Sequence, residues 1–258
     1  MVPCPAGPIL VVVAHCDDEV IGAGAHLADW AVPFTLLHVT DSAPADGVDA
    51  AAAGCATVGA YAAARRREWT AALNYLPQPP RELLTLDIRD REATDHLLDL
   101  IASLRECISR LKPAVVVTHS YEGGHPDHDA VAFAISAVRS MRDVPPFSAI
   151  EFAAYHESES GLVTNRFADG LVAGARLPPA LRELKQTMLE CFTTQRRVLA
   201  SFDCEYESLR RAGSSDFSAP PVSGRIWYER LGWGLTGATW RATIRQVAER
   251  LAAEGLTC

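Results

Sequence analysis

Six apolar residues, Ile9 to Ala14, run without interruption and stop at His15, Cys16, Asp17, Asp18 and Glu19. An unbroken apolar run of that length reads as a strand buried on both faces, the pattern of a parallel sheet. Val20 to Gly24 then opens a helix that reaches about residue 31, and Phe34 to Thr40 reads as a second strand. The alternation continues with a helix over about 60–76 and a short strand from Leu83 to Leu86. A long helix from about Arg91 to Lys112 follows, closed by Pro113. A strand over 114–119 and a helix from Pro126 to about Met141 complete this half. Such alternation predicts an α/β fold, a parallel sheet with helices on both faces.

The second half is less regular. Ser148 to Tyr155 reads as a strand and Gly161 to Gly174 as one or two short strands around turn residues. Pro178 to about Phe202 predicts one long helix, Ser214 to Arg225 a loop, and Trp240 to Glu254 a last helix. No repeat, low-complexity tail or boundary interrupts the chain, so residues 1–258 read as one domain. The stretch 41–59, rich in Ala and Gly, reads equally as an extension of the following helix or as a mobile loop at the strand ends.

Open α/β sheets bind their ligands at the carboxyl ends of strands. The first charge cluster stands at such an end. Taken singly, Asp17, Asp18 and Glu19 read equally well as first-turn acids that suit a helix dipole. A second cluster changes the balance: Gly123, Gly124, His125, Pro126, Asp127, His128 and Asp129 follow the strand-like run Ala114 to Thr118. Pro126 suits the first turn of the next helix. Two strand ends that both carry His and Asp form a metal-site pattern.

His15–Cys16–Asp17–Asp18–Glu19 with His125–Pro126–Asp127–His128 resembles the zinc-dependent PIG-L/LmbE-like deacetylases, whose usual signatures are AHPDDE and HPDH. Arg65–Arg66–Arg67–Glu68 resembles the family's R-x-x-E helix, and Lys185 to Gln195 its K…SQ helix. The resemblance implies an LmbE-like, Rossmann-like sheet and removal of N-acyl groups, most often acetyl from N-acetylglucosamine units. It implies one zinc ion per chain held by His15, Asp18 and His128, although another divalent transition metal also suits two His and one Asp. It makes Arg65 a substrate-binding position, a role suited to a guanidinium fork. Arg66 and Arg67 point elsewhere on a helix and read as solvated.

Between two ligands, Asp17 is the candidate general base, able to take a proton from water and pass it to the leaving amine. His125 is the candidate stabiliser of the oxyanion, expected as an imidazolium. Asp127 either pairs with His125 and keeps it charged or serves as a first-turn acid. Glu19 is expected to cap the helix or to hydrogen-bond a ligand. His26, His38, His96, His119 and His156 lie in no repeated motif and are read as structural.

Three departures from the family pattern stand out. Cys16 replaces the usual Pro and puts a thiol beside the site, where it becomes a possible extra ligand. Cys191 and Thr194 alter the K…SQ helix and put its contact with substrate in doubt. The family's acidic residue after the second strand has no clean match in Asp41–Ser42–Ala43.

A formal net charge of −8 argues against nucleic acid as partner. Seven cysteines without a repeated spacing make a poor disulfide framework and suit a reducing cytoplasm. No apolar run is long enough for a membrane span or a signal peptide. The expected function is N-deacylation of a small amino-sugar conjugate by a cytoplasmic zinc amidohydrolase. The alternatives are the same chemistry on another small N-acylated amine, or a non-catalytic sugar- or nucleotide-binding module. Against the last, no G-x-G-x-x-G follows the first strand.

Overall fold

The computed structural model describes residues 2–170, 174 and 176–256. Its main sheet joins β1 (Ile9–Val13), β2 (Phe34–Thr40), β3 (Glu82–Ile88), β4 (Val115–His119), β5 (Ser148–Phe152) and β8 (Leu209–Arg211) in the order β3-β2-β1-β4-β5-β8. The first five are parallel, and β8 adds antiparallel to β5. A hairpin of β6 (Tyr155–Ser158) and β7 (Gly161–Thr164) forms a second, two-stranded sheet. The helices are α1 (Asp18–Trp30), α2 (Val48–Ala52), α3 (Val58–Leu73), α4 (Leu97–Leu111), α5 (Pro126–Arg139), α6 (Pro179–Glu190), α7 (Arg196–Leu199), α8 (Trp227–Arg230) and α9 (Gly237–Ala253). The fold is the mostly parallel sheet flanked by helices that the sequence predicts.

Strand alternation explains why β1 is apolar throughout. Successive side chains point to opposite faces. Ile9, Val11 and Val13 therefore enter one core with Val20, Leu27, Trp69, Leu73 and Met188. Leu10 and Val12 enter the other with Leu104, Ile108, Val131, Trp240 and Ile244. Each such aliphatic burial contributes roughly 1.5–3 kcal/mol of transfer free energy. β3, at the sheet edge, buries one side only and alternates between half-buried and exposed positions.

Sheet order reverses between β1 and β4, which lie side by side although the chain leaves β1 toward β2. Connections part there in opposite directions and open a crevice at the carboxyl ends of the strands. The two charge clusters follow those two strands.

Several boundaries depart from expectation. The predicted helix from Arg91 starts only at Leu97, because the N–H groups of Arg91 and Ala93 donate to the Asp127 carboxylate instead of entering a helical ladder. The long helix expected over 178–202 breaks after Glu190 into a 3₁₀ turn, Thr193–Gln195, and α7. Glu68 draws the chain aside there, accepting from Thr193 Oγ1, Thr194 N and Thr194 Oγ1. Residues 41–59 are neither one loop nor an extension of α3: α2 is a short helix of its own. Strand β8 was not anticipated. Part of the expected 161–174 strand segment, residues 171–173, lies outside the described residues.

Candidate active site and metal centre

His15 and Asp18 leave the end of β1 through a tight turn in which the His15 N–H donates to Asp18 Oδ2 at 2.7 Å. His128 comes from the first turn of α5, after β4. Three groups converge. His15 Nδ1 is 3.2 Å from Asp18 Oδ2 and 3.2 Å from His128 Nε2, and His128 Nε2 is 3.2 Å from Asp18 Oδ1. A tetrahedral ion with bonds of about 2.0–2.1 Å holds its ligand atoms roughly 3.3–3.4 Å apart. Each pair has about that spacing, with the two histidines approaching different oxygens of the Asp18 carboxylate.

For His15 the surroundings fit too, whereas His128 Nδ1 has no hydrogen-bond partner among the described residues. A ligating histidine ordinarily donates its other ring N–H to a carboxylate or carbonyl. His15 Nε2 lies 3.3 Å from Asp127 Oδ2 and 3.2 Å from Asp90 Oδ1. Burial pulls the His15 pKa down, but Asp90, Asp127 and Asp18 outweigh it and raise it well above the ordinary value. Burial likewise works against the Asp18 carboxylate, yet the neighbouring His128 holds it well below the usual range. Carboxylates and imidazoles gathered this closely, and buried, present the site for a cation.

Three groupings here bring single donor atoms close enough for one ion: His15, His125 and His128; Asp18, His119 and His128; and His15, Asp90, His125 and Asp127. His119 Nε2 already accepts the Ala14 N–H at 3.0 Å, so its lone pair is spent. Burial and the neighbouring His128 push its pKa down to about 3. It stays neutral, its ring stacked on that of His128 with centroids 4.0 Å apart. In the last set, Asp127 already accepts from Arg91 N and Ala93 N. Both observations weigh against those two sets and leave His15 and His128, with either His125 or the nearby Asp18 carboxylate, as the strongest donors.

Asp17 lies between His15 and Asp18 in sequence, at the N-cap of α1. Its Oδ2 is 3.2 Å from Arg65 NH2, and both side chains are buried. Burial raises the Asp17 pKa while Arg65 opposes the rise. Arg65, expected to bind substrate, pairs with the candidate base through one nitrogen, while its Nε and Nη1 have no protein partner among the described residues. Its position one turn before Glu68 on α3 still serves the motif, because Glu68 anchors the Thr193–Gln195 turn. Both ends of R-x-x-E therefore act inside the protein.

His125 is the N-cap of α5, and its Nδ1 accepts the Asp127 N–H at 3.2 Å. That bond assigns the ring proton to Nε2 in the neutral tautomer. Burial, with His15 and His128 nearby, holds the His125 pKa well below the ordinary value. The expected imidazolium is corrected accordingly: His125 is a neutral donor. Of the two readings of Asp127, the structure places it in the first turn of α5, and the pairing with His125 is the weaker contact. Asp127 is 3.9 Å from His125 Nδ1 but 3.3 Å from His15 Nε2. Its carboxylate braces His15 and two backbone N–H groups.

Cys16 keeps its thiol away from ligation. Its Sγ is 3.4 Å from His38 Nδ1, and His38 Nε2 is 3.0 Å from Glu19 Oε2. Burial alone would lower the His38 pKa, but Cys16 and Glu19 drive it up to about 10. Glu19 therefore serves His38 and not a ligand, another correction. The Cys16 N–H, which a proline would lack, donates to Ser42 Oγ at 2.8 Å. Lys185 is also internal, paired with Glu207 at 2.9 Å and donating to the Ile21 carbonyl.

Four site residues escaped the sequence reading. Asp90 follows β3, and its backbone N–H is fixed by Asp41 Oδ1 at 3.1 Å. The charged run after that strand was the same signal that singled out the other two strand ends. Arg91 reaches Asp46 and Asp49 on the far side of the pocket at 2.7 and 3.0 Å. Tyr155 sets its ring edge-on to His128, with centroids 5.4 Å apart. It crowds Gly124, where a Cβ would stand 2.1 Å from the Tyr155 carbonyl oxygen, so only glycine fits. Trp233 approaches from the C-terminal part, 4.9 Å from His125 between ring centroids. Tyr155 and Trp233 lie in no charge cluster, and nothing in the local sequence marks them.

A family model described as PIG-L, GlcNAc-PI de-N-acetylase, matches residues 10–139, just over half of the chain and all of the His/Asp cluster. A search of curated proteins finds no match. Among solved structures, teicoplanin deacetylase in a zinc-inhibited form superposes with a TM-score of 0.57 at 18% identity, covering 81% of this chain and 100% of that one. The N,N'-diacetylchitobiose deacetylase of Pyrococcus horikoshii gives 0.52 at 19% identity, covering 80% and 84%. A 4-carboxy-2-hydroxymuconate hydratase from Pseudomonas putida gives 0.56 at 17% identity, covering 81% and 97%. These likenesses establish the fold. A hydratase among them means the fold hosts more than one reaction, so the chemistry has to be argued from the site.

Proposed function

The chain belongs to the PIG-L family, and from that premise we propose that it is a metal-dependent N-deacetylase acting on an amino sugar in a small conjugate. The observation that carries this reading is the convergence of His15 Nδ1, His128 Nε2 and the Asp18 carboxylate, the two ring nitrogens 3.2 Å apart and each 3.2 Å from one Asp18 oxygen. His15, Asp18 and His128 would hold one divalent ion, zinc by the preference of such ligands. Bound there, the ion supplies Lewis acidity, polarising an acyl carbonyl and lowering the pKa of water towards roughly 7.

The protein's own groups divide the remaining work. Asp17 takes the proton of the water that attacks the acyl carbon and returns it to the departing amine. Arg65 opposes the rise that burial imposes on the Asp17 pKa. His125 donates from Nε2 to the oxygen that gains charge as the carbonyl carbon becomes tetrahedral. Asp127 and Asp90 orient His15. The products are a carboxylate, acetate for an acetyl group, and a free amine.

The amino sugar is favoured over other N-acylated amines by the family's description, and a teicoplanin deacetylase and a chitobiose deacetylase share the fold. Among the described residues no helix is long and apolar enough to cross a membrane, which suits a conjugate that comes to the enzyme in water. Acetate release from N-acetylglucosamine conjugates, measured beside release from N-acetyl amino acids, tests the proposal. Release from the sugars alone is expected. Release from the amino acids alone would overturn the sugar assignment, and release from neither would overturn the enzyme.

A further inference from the structure

Trp233 lies outside the segment matched by the family model and beside the candidate catalytic groups. Its neighbours are informative. The Arg91 guanidinium sits over the indole, 4.2 Å from the ring centroid, and His125 meets it at an interplanar angle of 59°. Trp233 belongs to none of the apolar cores and is partly exposed. Gly232 and Gly234 flank it in left-handed backbone, with φ of 69° and 82°. A large aromatic side chain on a glycine-flanked loop, held by polar site residues and left out of the core, is unusual as packing. Apolar area of this size is ordinarily buried or kept for a ligand.

Arg91 fixes the ring where it stands. Its guanidinium also pairs with Asp46 and Asp49, and its backbone N–H donates to Asp127, which braces His15. Trp233 is therefore joined through one residue to the wall of the pocket and to the metal centre. His125 in turn lies 4.5 Å from His15 and 5.2 Å from His128 between ring centroids. An acyl group placed at that centre would carry the group bonded to its nitrogen within reach of the indole. A pyranose ring has a C–H face that packs well on an aromatic plane, and its hydroxyls can accept from the indole N–H.

We propose that Trp233 is the sugar platform of this site: its indole, held by Arg91 beside His125, stacks on the ring that carries the N-acyl group. The assignment rests on the deacetylase reading given above. It makes Trp233 a specificity residue that favours cyclic sugars over acyclic N-acylated amines.

The test compares wild type with Trp233→Ala and Trp233→Phe, each loaded with zinc and checked for metal content. Acetate release is followed on N,N'-diacetylchitobiose and on acyclic N-acetylethanolamine. Binding of the disaccharide to an inactive Asp17→Asn background, with and without Trp233→Ala, is followed by tryptophan fluorescence. Trp233→Ala should raise KM for the disaccharide about tenfold or more, with kcat falling less than threefold and metal content unchanged. Trp233→Phe should restore most of the loss, and the acyclic substrate should not distinguish the variants. An equal loss on both substrates, or an unchanged KM for the disaccharide, would overturn the platform. Should the wild type bind disaccharide through Trp233 yet release no acetate, the deacetylase reading fails and the platform stands. Absence of both binding and release would refute both.

Discussion

Arg65 and Asp17 form a buried ion pair, NH2 to Oδ2 at 3.2 Å, at the edge of the candidate metal centre. The arginine comes from α3 and the aspartate from the N-cap of α1, so two separate elements meet to charge one carboxylate. Burial favours the neutral acid, and a general base has to be ionised. The Arg65 guanidinium offsets part of the burial penalty, and the Asp17 pKa stays raised overall.

Replacing Asp17 by Asn should leave metal bound and lower turnover by roughly 10²–10⁴-fold, the usual scale of general acid–base catalysis. Arg65→Gln removes the charge that opposes burial, so the Asp17 pKa should rise further. Activity that needs the ionised base climbs as pH rises through that pKa. The acidic limb of the pH–rate profile should therefore move to higher pH in Arg65→Gln. A limb that stays in place or moves down would mean that Asp17 is not the base.

His125 should act as a neutral donor. His125→Ala should cost about 10²–10³ in kcat, the usual loss of one oxyanion donor. Because burial and the flanking histidines already hold His125 uncharged, its removal should leave the basic side of the profile unchanged. Loss of a basic limb in the variant would show instead that a charged His125 does the work.

Asp127→Asn tests the brace on His15. Orienting carboxylates of this kind typically contribute 10–100-fold in metal affinity. Competition with a chelator should show a weakening of that order. Unchanged affinity would assign Asp127 to backbone support of Arg91 and Ala93 alone.

Much of this was legible in the chain. The apolar run of β1 and the charge clusters after β1 and β4 foretold a parallel sheet, and β1 and β4 do lie side by side, which brings the two clusters together. What escaped was whatever depends on where side chains travel. That Arg65 meets Asp17 was not legible, because a helix periodicity cannot say which residue faces a buried acid. Asp127 was linked to His125 by proximity in sequence, yet the first turn of α5 aims it at His15. Cys16 raised the prospect of a thiol ligand, but it meets His38, contributed by β2. Trp233 joins the site from more than a hundred residues beyond His125, a distance no local pattern spans.

The central claim is that His15, Asp18 and His128 hold one catalytic divalent ion, and metal stoichiometry read beside activity tests it most directly. Purified protein loaded with zinc should carry one ion per chain and release acetate from an N-acetylated amino sugar. His15→Ala and His128→Ala should each lose ion and activity together while keeping the fold by circular dichroism. Folded variants that retain a full equivalent of zinc would contradict the account.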